Sequence, residues 1–135
     1  MGYGHMQIGA VAERTGLSIR TIRYYGEVCL VEPSARSQGG FRLYTEQDVQ
    51  RLLLIREMKT LDLSLEQIRE LLGLLEGRGE PATDEAEATG REERLALYLD
   101  AAQARTRELE QQLERVMAFV DQLRAASLRH QPLRR

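Results

Sequence analysis

Thiol chemistry is nearly absent from the 135 residues: one cysteine, Cys29, excludes an internal disulfide framework and any multi-thiolate metal cage within one chain. Histidine is as scarce. His5 lies near the start and His130 in the tail, where it reads as a surface residue, so no internal imidazole is available as base or ligand. No nucleophile, base and orienter form a set, and Gly73 to Gly79 lacks both the spacing and the preceding strand of a phosphate loop. The carboxylates fit solvated i,i+4 pairs with arginines better than an acid/base dyad. An enzyme is not expected, nor a cofactor or a bound metal. No apolar run approaches the roughly 20 residues that span a bilayer, and no signal-peptide core is present. A cytoplasmic protein with no membrane partner is the expectation. Only 5% of residues are aromatic against 30% charged, which predicts surface-rich helices, one small domain and an extension rather than two independent cores.

The formal net charge is only −2, so the chain is not a wholly basic nucleic-acid binder. Its charges are unevenly placed. Residues 1–62 carry net +1 and residues 63–135 net −3, and between Ser18 and Tyr44 four arginines face only Glu27 and Glu32. A local basic surface suffices for DNA, because affinity follows the phosphates neutralised. In that stretch, SIRTIRYYGEVCLVEPSARSQGGFRLY, Ile19, Ile22, Gly26 and Cys29 share one helical face, which is expected to turn inward, with Ser18 as N-cap. Arg20, Thr21 and Tyr24 point the other way, offering a guanidinium, a hydroxyl and a phenol to phosphate oxygens or base edges. Of the adjacent Tyr24 and Tyr25, about 100 degrees apart on a helix, one is expected to pack and the other to reach a phosphate. Pro33 ends the helical pattern, Gly39-Gly40 predicts a tight primed turn with positive φ values, and Phe41-Arg42-Leu43-Tyr44 alternates between two faces. A helix followed by an arginine-bearing hairpin predicts a winged helix. Arg36, Arg42 and Tyr44 are its candidate phosphate contacts, and Phe41 its packing residue.

Arg20-Thr21-Ile22-Arg23-Tyr24-Tyr25 and Gly39-Gly40-Phe41-Arg42-Leu43-Tyr44 resemble the RTIRYYEEIGLL run and the GGYRLY wing of the MerR family of bacterial transcription regulators. The likeness runs from about Ile8 to Leu72, and continues in architecture only to the final helix. It implies DNA contacts at Ser18, Arg20, Thr21, Arg23, Tyr24, Tyr25, Arg36, Gly40, Arg42 and Tyr44, and from a second wing at Lys59, the only lysine. Two positions depart from the pattern. Gly26 stands where the family usually has an acidic residue, and Cys29 where it usually has a glycine. A non-glycine at positive φ marks Cys29 as a strained or re-routed helix exit. With apolar Val28 and Leu30 beside it and no His or Lys nearby in sequence, it reads as a small buried hydrophobe rather than a redox sensor.

The remaining chain supplies a frame. Residues 1–6 read as an appended leader and start. Ile8, Val11, Ala12 and Thr15 predict a first helix ended by Gly16, which with the second makes a helix-turn-helix. Thr45 predicts the N-cap of a third helix with Val49, Leu52, Leu53, Ile55, Met58 and Leu61 on its apolar face. After a turn at Asp62-Leu63, Ser64 and Gln67 form a capping box for a fourth, carrying Ile68, Leu71, Leu72 and Leu75. The winged helix-turn-helix domain is thus placed at 7–76, followed by an acidic Gly/Pro linker at 77–90, in which Asp84 to Ala88 suit a helical turn.

From 91 to 127 neither proline nor glycine intervenes, and Leu95, Leu99, Ala102, Leu109, Leu113, Val116, Val120 and Leu123 recur in steps that sum to seven, with Thr106 and Ser127 as weak seam positions. Such a helix is roughly 55 Å long and cannot bury its stripe against so small a domain. It calls for a second copy. The fold class is therefore mainly α: a winged helix-turn-helix with a small β-hairpin wing, then a long C-terminal coiled-coil dimerisation helix and a short basic tail at 128–135. The resemblance implies antiparallel pairing, double-stranded promoter DNA as partner, spacer distortion, and RNA polymerase acted on indirectly. A small-molecule inducer is left open, because eight residues after the coiled coil are too few for a ligand domain. Leu95, Tyr98, Leu99 and Phe119 suit dimer core better than an apolar pocket against the DNA-binding domain. The alternatives are an architectural DNA binder without inducer, a drug-sequestering protein, and a coiled-coil adaptor.

Overall fold

Helix starts are set by short polar side chains, and their positions divide the N-terminal part of the chain. In the computed structural model, which describes residues 5–77 and 84–129, the order is β1 (Met6–Gln7), α1 (Ile8–Thr15), α2 (Ile19–Glu27), β2 (Ala35–Arg36), β3 (Arg42–Tyr44), α3 (Glu46–Lys59), α4 (Leu65–Glu76) and α5 (Glu85–Arg129). Ser18 caps α2 by accepting from the Thr21 amide at 3.0 Å. Thr45 with Asp48, and Ser64 with Gln67, close reciprocal capping boxes on α3 and α4. Gly16, at φ 75°, ends α1 and sends its amide back to the Ala12 carbonyl. These boundaries match the sequence expectations.

The chain divides into two compact units, Met1–Arg91 and Glu92–Arg135. In the first, α1 packs on α2 and α3, and α3 on α4. Val11, Ile22, Tyr25, Leu30, Val31, Tyr44, the Val49-Leu52-Ile55-Met58 face of α3 and the Ile68-Leu71-Leu72 face of α4 form its core. Fully burying one such aliphatic side chain contributes about 1.5–3 kcal/mol. Thr15 is buried among them without an orphaned hydroxyl, since its Oγ1 donates to the Val11 carbonyl at 2.9 Å and accepts from the Leu17 amide at 3.2 Å.

Several expectations are corrected. Met6 and Gln7 form a strand that the sequence did not suggest: β1 pairs antiparallel with β3, Met6 opposite Tyr44 and Gln7 opposite Leu43, giving a sheet in the order β1-β3-β2. The hairpin loop is not a two-residue primed turn. Ser37 and Phe41 pair through a 2.9 Å bond, the Gly40 amide donates to the Ser37 carbonyl, and of the two glycines only Gly40 takes a positive φ, 85°. A Cβ at Gly39 would stand 3.2 Å from the Phe41 ring, close enough that the exposed ring would have to shift slightly. That ring is 63% exposed, so Phe41 is not a buried packing residue, and Ile19 and Leu75, expected inward, are exposed as well.

Cys29 is exposed rather than buried, and its φ of 60° makes it the left-handed residue after α2. The Leu30 amide donates to the Tyr25 carbonyl at 2.8 Å and the Cys29 amide to the Gly26 carbonyl at 3.1 Å, the paired bonds of a Schellman ending. That geometry turns the thiol outward and drives Leu30 and Val31 into the core in its place.

The segment read as a linker is helical in its second part. Residues 78–83 lie outside the described residues, but α5 already begins at Glu85, where the Glu87 amide donates to Asp84 Oδ1 at 2.9 Å. Alanine and glutamate there favour helix strongly enough to carry through Gly90. The helix runs 45 residues to Arg129 with none buried, while positions 130–135 of the basic tail lie outside the described residues. Leu95, Leu99, Leu109, Leu113, Val116, Val120 and Leu123 are all exposed and Ala102 is half-buried. The Thr106 hydroxyl donates to the Ala102 carbonyl at 3.0 Å, so this seam position presents a methyl without an unsatisfied donor.

Candidate nucleic-acid interface

The outer face of α2 carries cations because the inner face is occupied by Ile22 and Tyr25. Arg20, Arg23 and Tyr24 are exposed, and Thr21 is half-buried, its hydroxyl accepting from Ser18 Oγ at 2.8 Å. The tyrosines divide as their spacing requires: Tyr24 is 46% exposed and Tyr25 is 3% exposed, with ring centroids 5.8 Å apart. Burial, and then the neighbouring Tyr24 phenol, pushes the Tyr25 hydroxyl above the ordinary tyrosine pKa. Tyr25 is therefore a core residue, not a surface contact. Tyr44 is corrected likewise, since register with Met6 turns it inward, fully buried and with a hydroxyl that finds no partner.

The wing places two like charges face to face. Arg36 and Arg42 are direct cross-strand partners, an arrangement that disfavours the sheet unless an anion relieves it. Arg36 Nη1 donates to the Gly40 carbonyl at 3.1 Å, which gives Gly40 a positioning part in the turn. With Arg23 of α2, both guanidinium-bearing residues line a cleft of about 330 Å³ between the helix and the wing, bordered also by Gln7, Ile8, Gly40 and Phe41. A second cleft, about 280 Å³, lies across Arg36 and Arg42 beside Gly26, Glu27, Glu32 and Pro33. Ser18 caps α2 and Arg20, Thr21 and Tyr24 stand on it, none of them lining these clefts, and Lys59, exposed at the end of α3, lines neither.

Sequence reasoning missed Gln7, Ile8 and the exposure of Phe41. A two-residue strand is too short to show alternation, whereas the Gly39 beside Phe41 was a usable signal for an aromatic ring folded over a turn. Arginines missed as structural supports hold the helices from behind. Arg56 Nη1 donates to the Thr15 carbonyl at 2.7 Å, and Arg69 Nη2 to the Val28 carbonyl at 2.9 Å, so α3 and α4 each stabilise the end of one helix of the helix-turn-helix. Arg14 grips Glu46 through two bonds of 2.8 and 2.7 Å. The Arg14 hydrogen bond, joined by one from Gln50, lowers the Glu46 carboxyl to about 2. Among the described residues no group of three or more His, Cys, Asp or Glu is placed to hold a metal ion, and no helix is long and apolar enough to cross a membrane.

A helix-turn-helix backed by two further helices and flanked by a three-stranded wing with paired arginines defines a winged helix-turn-helix protein. Residues 6–75 match the model for the MerR HTH family of regulatory proteins, and residues 49–126 the model described as MerR, DNA binding. The chain belongs to the MerR family. It is 48% identical over 68 residues to the HTH-type transcriptional regulator ZntR of Escherichia coli K12, a match covering 50% of this chain and 48% of ZntR. The matched stretch thus spans about half the length of that curated relative. Among solved structures it is similar to the transcription regulator PbrR691 of Ralstonia metallidurans CH34 in complex with lead(II), with 32% identity, TM-score 0.53 and 84% of each chain covered. HiNmlR, a MerR family regulator lacking the sensor domain and bound to promoter DNA, shares the fold at TM-score 0.60 and 24% identity, over 87% of this chain and 79% of HiNmlR.

Proposed function

We propose that the protein is a sequence-specific, DNA-binding transcriptional regulator that acts as a homodimer on a palindromic promoter. The observation that carries this reading is the convergence of Arg23, Arg36 and Arg42 on one cleft beside the exposed face of α2. Three cations gathered without a carboxylate among that cleft's lining suit a phosphate backbone, and the neighbouring Arg20, Thr21 and Tyr24 suit base edges and further phosphates. Ser18 holds the helix end, and Lys59 offers a second, separate cation to the backbone. The family and the promoter DNA on the related fold of HiNmlR support the same reading.

The dimer is argued from α5. An apolar stripe from Leu95 to Leu123 left exposed along one chain is the pattern of a helix whose partner is another helix of the same kind. Two reading heads joined by such a seam would hold two half-sites at one separation. Phosphate contacts from both subunits can then offset the energy of bending and untwisting the spacer, on the order of 1–10 kcal/mol. That distortion would act on RNA polymerase indirectly, by realigning promoter elements.

Replacing two arginines separates reading from anchoring. Arg20→Ala should relax sequence preference, whereas Arg42→Ala should weaken all duplexes similarly and reduce the dependence of log affinity on log salt by about one per subunit. Titration of both variants against the DNA upstream of the gene for this chain checks it. Unchanged binding in both would remove these residues from the interface.

A further inference from the structure

We infer that Gly26 sets the strength of the interface by leaving the Arg42 guanidinium uncompensated, an assignment that rests on the DNA-binding reading above. Gly26 is the penultimate residue of α2 and has no positive φ, so the backbone does not demand glycine there. Space does not demand it either. A Cβ at Gly26 would stand 3.6 Å from the Val31 carbonyl oxygen and 3.9 Å from Arg42 Nη1, both ordinary van der Waals separations. Glycine is nonetheless a poorer helix former than alanine, by up to about 1 kcal/mol in a helix interior and by less in a last turn such as this one. A destabilising residue with neither a conformational nor a steric reason points to what its side chain would have touched.

That neighbour is Arg42. Its guanidinium reaches across from the wing to the bare backbone of α2, and the residue borders both clefts. Glu27 and Glu32 line the second cleft, yet among the described residues no carboxylate lies within ion-pair distance of the Arg42 guanidinium. A half-buried guanidinium without a protein partner, opposite a second arginine, is a seat for an external anion. A carboxylate side chain at position 26 would lie against this group and neutralise it. Glycine keeps the full charge available to a DNA phosphate.

The test compares Gly26→Glu with Gly26→Gln, which match in shape and differ in charge. Both are titrated against the duplex upstream of the gene for this chain over a range of salt, with thermal unfolding of each variant as the check on folding. The glutamate variant should bind about tenfold or more weaker than the glutamine variant. Its salt slope should be lower by about one per subunit. In the Arg42→Ala background the gap between the two should close, because the carboxylate then has no guanidinium to neutralise. Equal affinity and slope in the two folded variants overturns the inference. So does a gap that persists undiminished without Arg42. A parent protein that fails to bind the duplex at all is a different result: it overturns the DNA reading, and this inference with it.

Discussion

Cys29 and Tyr44 are the two residues at which side-chain chemistry and backbone position disagree most. Cys29 sits at φ 60° in the Schellman ending of α2, where a Cβ is disfavoured by roughly 1–2 kcal/mol. Cys29→Gly should therefore stabilise the folded state by up to about 1 kcal/mol, part of the gain being offset by the freer unfolded chain. Chemical denaturation would register this as a higher midpoint with an unchanged slope; a lower midpoint would mean that the thiol makes contacts its exposure does not suggest. Tyr44 buries a hydroxyl with no partner, and desolvating such a group costs about 1–3 kcal/mol. Tyr44→Phe is expected to be neutral or stabilising and to leave DNA affinity as it was. Weaker binding by a fully folded Tyr44→Phe protein would restore the phosphate contact that burial argues against. The two cases differ in legibility. A glycine-to-cysteine departure announced the strain at the α2 exit, but nothing in FRLY said which face of the strand would meet the core, because β1, which sets that register, is only two residues long.

At the scale of elements, what could be read in advance was whatever depends on neighbours in sequence. Ser18, Thr45 and Ser64 begin α2, α3 and α4 through bonds to amides three residues on, so the same spacing that suggests them also makes them. What was not legible depends on distant partners. Arg56 and Arg69 reach 41 residues back to the Thr15 and Val28 carbonyls, and no local pattern distinguishes them from solvated helix arginines. The start of α5 was half legible: Asp84 to Ala88 suited a helical turn, but Pro81 and the glycines nearby hid that the run continues through Gly90 into the long helix. The apolar stripe of α5 is periodic and was plain; the seam it would make with a second copy is the proposed one. Its consequence belongs to this scale: Leu109, 45% exposed in the single chain, lies mid-seam, and Leu109→Asp should place a carboxylate in the dimer interior and dissociate it. Sedimentation velocity decides the matter. A variant that remains dimeric would disprove the heptad argument, whatever its affinity for DNA.

The molecule as a whole has two unlike parts, a small winged unit rich in cations on one surface and a long helix rich in exposed leucine and valine. Neither has an evident use alone. On the proposed reading each winged unit contacts one half-site, and α5, which buries no residue in the single chain, joins it to a second copy as a two-fold reader with a fixed spacing between half-sites. The central claim is that this reader grips promoter DNA and deforms the segment between its contacts. The most direct measurement is a protection footprint on the DNA upstream of the gene for this chain, at moderate salt, with a chemical probe for distorted base pairs in the same reaction. The account predicts two protected half-sites related by a two-fold axis and a reactive, unprotected centre between promoter elements. Protection of one unpaired site, or of a palindrome whose centre stays unreactive, would contradict it.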